Sequence, residues 1–193
     1  MNKIIFGIAI IITTTACNNN TSTEKNKTDD TVKNNSTKKD TAVITDTKVD
    51  GAMKEMVAQY LKMKNALAND NGKNAASAGK AFVESMDKMD KNSLTGDKKK
   101  KWDDVSDDAK EHGEHIGKNG DNIKHQREHF DMLSTDMYEM VKTFGAGQIL
   151  YKDFCPMYNE GIGAFWLSES KEIKNPYLGK KMPTCGEIKE EIK

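Results

Sequence analysis

Met53, Met56, Tyr60, Met63 and Leu67 recur at alternating spacings of three and four residues. That period lines up one face of an α-helix. Asn69-Asp70-Asn71-Gly72 is a turn signal and ends the seam. A second seam runs through Ala75, Ala78, Phe82, Met86 and Met89 and stops near Ser93 and Gly96. Trp102, Val105, Ala109, His112 and Ile116 form a third, closed by Gly117 to Gly120, and Ile123, Phe130, Leu133, Met137, Met140 and Phe144 a fourth, ended by Gly145 and Gly147. Helices joined by turns this short must run antiparallel to their neighbours, so the pattern predicts an up-down four-helix bundle. The methionines on these seams, Met53, Met56, Met63, Met86, Met89, Met137 and Met140, are read as core filler, the usual use of a flexible thioether.

After Gly147 the texture changes. Ile149-Leu150-Tyr151 and Ala164-Phe165-Trp166-Leu167 flank the turn Asn159-Glu160-Gly161, which reads as a hairpin. Thr184 and Glu187 make a capping box, the signature of a helix start, and predict a helix from there to the end. The expected fold is therefore mainly α: an up-down four-helix bundle with a small C-terminal β-hairpin-like cap and a short terminal helix.

Ahead of the seams, Met1-Asn2-Lys3 precede an apolar run from Ile4 to Ile12, then Thr13-Thr14-Thr15-Ala16 and Cys17. A basic start, a short apolar stretch and small residues mark an export signal over residues 1–16. At ~1.5 Å per residue the apolar run covers less than half of a ~30 Å hydrocarbon core, too short to span it. The cysteine directly after Ala16 resembles the bacterial lipobox, with Thr14 where Leu is usual; the resemblance implies that Cys17 is lipidated and becomes the first mature residue. Acyl chains such as palmitate, each burying about 0.8 kcal/mol per methylene, make such attachment effectively permanent. From Asn18 the chain is almost all Asn, Thr, Lys, Asp and Ser, with Ala42-Val43-Ile44 the one apolar patch. It buries too little to offset its conformational entropy, so residues 17–49 are expected to form a disordered tether. Residues 50–193 are the expected domain. It would sit in the cell envelope on membrane lipid, the outer membrane before the inner, facing the periplasm or the exterior.

Composition narrows the functions. With 30 Lys and Arg against 30 Asp and Glu, no long-range field recommends nucleic acid or an acidic substrate. The basic block Lys98 to Lys101, followed by Trp102, reads as a solvated helix start. No nucleophile is paired with a recognisable base and no phosphate loop appears, so an enzyme is not expected.

Two clusters carry candidate chemistry. All four histidines lie between His112 and His129, on either side of one turn. His112 and His115 are three apart, His125 and His129 four apart, so each pair shares a helix face. With a reversal near Asn119, His112 comes level with about Gln126 and the pairs meet at one end of the bundle. His115, His125 and His129 are candidate additional ligands beside the sulfur residues that follow; His112 also fits the apolar seam. The second cluster is sulfur. In Cys155-Pro156-Met157 an extended chain turns both sulfurs to one side. Met182-Pro183-Thr184-Cys185 brings a thioether and a thiol together, with Cys185 at the start of the expected terminal helix, where the dipole favours thiolate. Cys155, Met157, Met182 and Cys185 suit a soft cation, Cu(I) above all. A Cys155–Cys185 disulfide is the alternative; its closed loop would contribute about 3 to 4 kcal/mol in the chain-entropy model.

The domain also resembles a family. His125-Gln126-Arg127-Glu128-His129-Phe130, Cys155-Pro156-Met157, Gly163 to Ser168, and Lys171 to Gly179 with Met182 and Cys185-Gly186 are similar to an uncharacterised bacterial domain family. Its members occur as stand-alone lipoproteins and fused to the C-terminus of periplasmic adaptor subunits of copper and heavy-metal efflux pumps. The resemblance implies metal handling, with periplasmic components of an efflux system as partners. The expected function is a lipoprotein that binds a soft metal, Cu(I) first, for sequestration or delivery. The rival expectation is a structural or protein-interaction lipoprotein with a Cys155–Cys185 disulfide and no metal.

Overall fold

The computed structural model describes residues 37–193, with side-chain surroundings from residue 47 onward. The signal at 1–16, Cys17 and the tether as far as residue 36 lie outside the described residues. Four helices follow one another: α1 Thr37–Ala68, α2 Gly72–Met86, α3 Gly96–Lys118 and α4 Ile123–Phe144. Each packs on the next and α4 returns to α1, the bundle that the seams imply. Met53, Met56, Met63, Met86, Met89, Met137 and Met140 are all buried.

Helix α1 begins at Thr37, inside the stretch expected to be tether up to residue 49. Val49 belongs to the core. A polar segment cannot build a core of its own, but it can extend a helix that already has one, because propagation gains a hydrogen bond for each residue fixed.

Local signals set the ends. Asn71 caps α2 by accepting from the Asn74 amide at 3.0 Å, and Asn122 caps α4 by accepting from the His125 amide at 3.2 Å. Gly145, at φ 85°, closes α4. α2 and α3 cross closely enough that a Cβ on Gly79 would stand 2.9 Å from both the Gly113 carbonyl oxygen and the Gly117 nitrogen. That contact leaves the opposite side of α3, which carries His112 and His115, for α4.

The chain then forms β1 Leu150–Cys155 and β2 Ala164–Ser168, an antiparallel pair with Cys155 opposite Ala164. This is the expected hairpin. The terminal helix is not formed. Residues Glu187–Ile192 are instead a strand, β3, on the free edge of β1, giving the order β2-β1-β3. A capping box can start a helix, but a helix of under ten residues is marginal by itself, whereas β1 offers a row of unpaired amides and carbonyls. Glu190 pins the strand by accepting from Tyr138 at 2.8 Å and Lys142 at 2.9 Å on α4. Trp166 of β2 and Tyr177 are both buried and meet edge-on, ring centres 5.9 Å apart.

Candidate metal centre

Gln126 fixes the register of α3 on α4. Its buried amide nitrogen donates to the Ile116 carbonyl at 3.0 Å and to the Gly72 carbonyl at 2.9 Å, so α4 is locked to the last turn of α3 and the first of α2. With that register the histidines meet in two cross-helix pairs. His112 Nδ1 is 3.2 Å from His129 Nδ1, and His115 Nδ1 is 3.3 Å from His125 Nε2. The pairs join through His129, whose ring stacks on His115 at 4.1 Å and meets His125 edge-on at 4.5 Å. His115, His125 and His129 each offer a nitrogen within 4.8 Å of the other two. Those are the three histidines singled out from the sequence.

Electrostatics keep His129 and His112 in the ligating form. Burial, reinforced by His115, His125 and His112, pushes His129 down to about 4, and burial lowers His112 as well. A neutral imidazole has a lone pair to give, and an imidazolium has none. Carboxylates stand behind the rings: Glu111 Oε1 is 3.7 Å from His115 Nε2, Glu128 Oε2 is 3.5 Å from His125 Nδ1, and Asp136 Oδ2 is 3.9 Å from His112 Nε2. Sequence reasoning did not single out these acids. For Glu111 and Glu128 the signal was present, since each is three or four residues from its histidine and so on the same face. Asp136 is level with His112 only through the α3–α4 register.

The sulfur residues gather at the end of β1, where the Met157 amide bonds Cys185 Sγ and the Met182 carbonyl accepts from the Cys185 amide at 3.2 Å. Cys155 is buried at the end of β1, and its Sγ lies 2.7 Å from Sγ of half-buried Cys185. β1 stops at Cys155, so no extended stretch carries Met157 along with it; Met157 sits in a turn, 60 % exposed, and Met182 is 38 % exposed. Cys185 stands on no helix. Burial and then Cys155 push its thiol up, the reverse of the expected thiolate, although the Met157 amide hydrogen-bonds it. Among the described residues neither cysteine shares a site with two further His, Cys, Asp or Glu donors. Tertiary structure thus gives one imidazole cluster and, apart from it, one close thiol pair.

No helix among the described residues is long and apolar enough to cross a membrane. No curated protein and no solved structure matches the chain. One family model does match, over 56–148, a span that holds all four histidines and stops before both cysteines of the cap. Residues 56–148, the helical body with its histidine cluster, are thus similar to the family described as "Protein of unknown function (DUF3347)".

Proposed function

We propose that this chain is a lipoprotein, anchored in the envelope through acylated Cys17, whose helical domain holds a transition-metal ion for sequestration or for delivery to an efflux system. The observation that carries the reading is the convergence of His115, His125 and His129, with ligand nitrogens within 4.8 Å of one another. Three imidazoles suit copper, zinc or nickel and are poor partners for magnesium or calcium. Copper is the first candidate, because among the divalent first-row ions an imidazole site holds Cu(II) most tightly; Cys155, Cys185, Met157 and Met182 are the donors proposed for Cu(I). The role proposed is binding, with metal efflux components as partners.

The test is copper and zinc content after equilibrium dialysis of reduced protein, wild type against a His115→Ala/His125→Ala/His129→Ala variant and a Cys155→Ser/Cys185→Ser variant. Loss of bound metal in the histidine variant alone assigns the ion to the cluster. Absence of metal in the wild type, with Cys155 and Cys185 bonded to each other, would overturn the reading. The second reading, a structural or interaction lipoprotein clamped by a Cys155–Cys185 disulfide, is favoured by one observation, the 2.7 Å separation of those sulfurs.

A further inference from the structure

Across a tetrahedral ion with bonds of 2.0–2.1 Å to imidazole, two ligand nitrogens stand about 3.3 Å apart. Both histidine pairs already have that separation, 3.2 Å for His112 with His129 and 3.3 Å for His115 with His125. His112 stands just outside the set of nitrogens within 4.8 Å of one another and has to move in to join it. The apolar seam accounts for His112 as a half-buried side chain, but not for an Nδ1 aimed at another imidazole nitrogen. Its far nitrogen is placed as well, 3.9 Å from Asp136 Oδ2. That oxygen is buried and has no hydrogen-bond partner, an expensive arrangement unless something is to be bonded there. A ring shift of about 1 Å brings His112 Nε2–H within hydrogen-bonding range of it.

From this geometry we infer that His112 is a fourth ligand, so that His112 Nδ1, His115 Nδ1, His125 Nε2 and His129 Nδ1 enclose a divalent ion as a closed four-imidazole site. The inference rests on the histidine cluster being a metal centre, and it adds what kind of centre. Asp136, Glu111 and Glu128 face the nitrogens opposite to those that ligate. They are positioning residues, which hold the tautomer and the ring plane as carboxylates do behind metal-bound histidines. A closed set leaves no position for a reacting water, which separates structural and storage sites from catalytic ones. Four borderline nitrogens select Zn(II) or Cu(II) over Cu(I).

X-ray absorption of the full chain loaded with Zn(II), together with the d–d spectrum of its Co(II) form, tests this. The expected result is one ion per chain, four imidazole nitrogens at about 2.0 Å, no water ligand, and the intense visible bands of tetrahedral Co(II). His112→Gln should exchange one imidazole for an oxygen ligand and weaken Zn(II) binding at least tenfold. Asp136→Asn should weaken it by about tenfold with the four nitrogens retained. Three imidazoles plus a water in the wild type would overturn the closed site while leaving the cluster a metal centre. No Zn(II) or Co(II) bound at all would overturn both. Because the wild-type coordination number decides the matter, a variant that fails to fold does not blunt the test.

Discussion

Arg127 Nη2 donates to Asp70 Oδ1 at 2.6 Å, across the turn that ends α1. The same guanidinium donates to the Leu67 carbonyl at 2.9 Å and, through Nε, to the Pro176 carbonyl at 2.7 Å. Asp70 in turn accepts from the Lys180 amide at 3.1 Å. One side chain on α4, between His125 and His129, thus ties the end of α1 to the loop ahead of β3. Arg127→Ala leaves two carbonyls and a carboxylate without their charged donor, at about 2 kcal/mol. The expected fall in melting temperature is about 5 °C, read by circular dichroism; an unchanged melting point would show the tie to be ornamental.

His129 and pH come next. Its folded value is depressed to about 4 against an ordinary 6.5. Between those values the unfolded chain binds a proton that the folded chain refuses, so this group takes stability away as pH falls through that window. His129→Gln should therefore flatten the acid limb of a denaturant-midpoint profile measured between pH 4 and 7 without added metal. A steeper acid limb in the variant would contradict the assignment.

Asp153 has the opposite sign in an overlapping window. It is fully buried, neither carboxylate oxygen has a hydrogen-bond partner, and burial raises it to about 7, with Lys64 pulling the other way. Lys64 is itself engaged at 2.8 Å by Glu169. Here the folded chain holds the proton that the unfolded chain releases, so stability is lost as pH rises from about 4 through 7. Asp153→Asn should raise stability at pH 8 by on the order of 2 kcal/mol and leave it nearly unchanged at pH 4. A variant less stable than wild type at pH 8 would show the carboxylate to be a needed partner of Lys64.

The α2–α3 crossing should tolerate no side chain at Gly79. Its Cβ would meet backbone atoms at 2.9 Å, and backbone does not rotate aside. Gly79→Ala is expected to cost 1–3 kcal/mol or more despite its better helix propensity, and to loosen the Zn(II) site by shifting α3. Gly51→Ala, with open space around it, is the control and should be neutral or stabilising. Equal melting points for the two variants would refute the close-packing account.

Membrane attachment rests on one residue in the reading proposed here. Cys17→Ala is expected to move the protein from the membrane fraction to the soluble fraction on cell fractionation, since acyl chains are the anchor proposed. Continued sedimentation with membranes would demand another anchor.

The sequence by itself determined the helices, their order and their antiparallel sense, because a period of three and four residues is a property of one helix face and short turns leave no other path. It also placed His115, His125 and His129 on facing surfaces, since their spacing within α3 and α4 decides the face. Tertiary structure alone decided the rest. The segment after Cys185 carries a helix-start signal, yet it is a strand, because the open edge of β1 gives its backbone more hydrogen bonds than a short helix does. His112 reads equally well as core or as ligand until Gln126 fixes how far α4 slides along α3 and aims its Nδ1 at His129. Asp136 has no local signal at all; only that same register brings it behind His112. The sequence already offered Cys155 and Cys185 as partners; what brings the thiols together across thirty positions is the return of β3 beside β1.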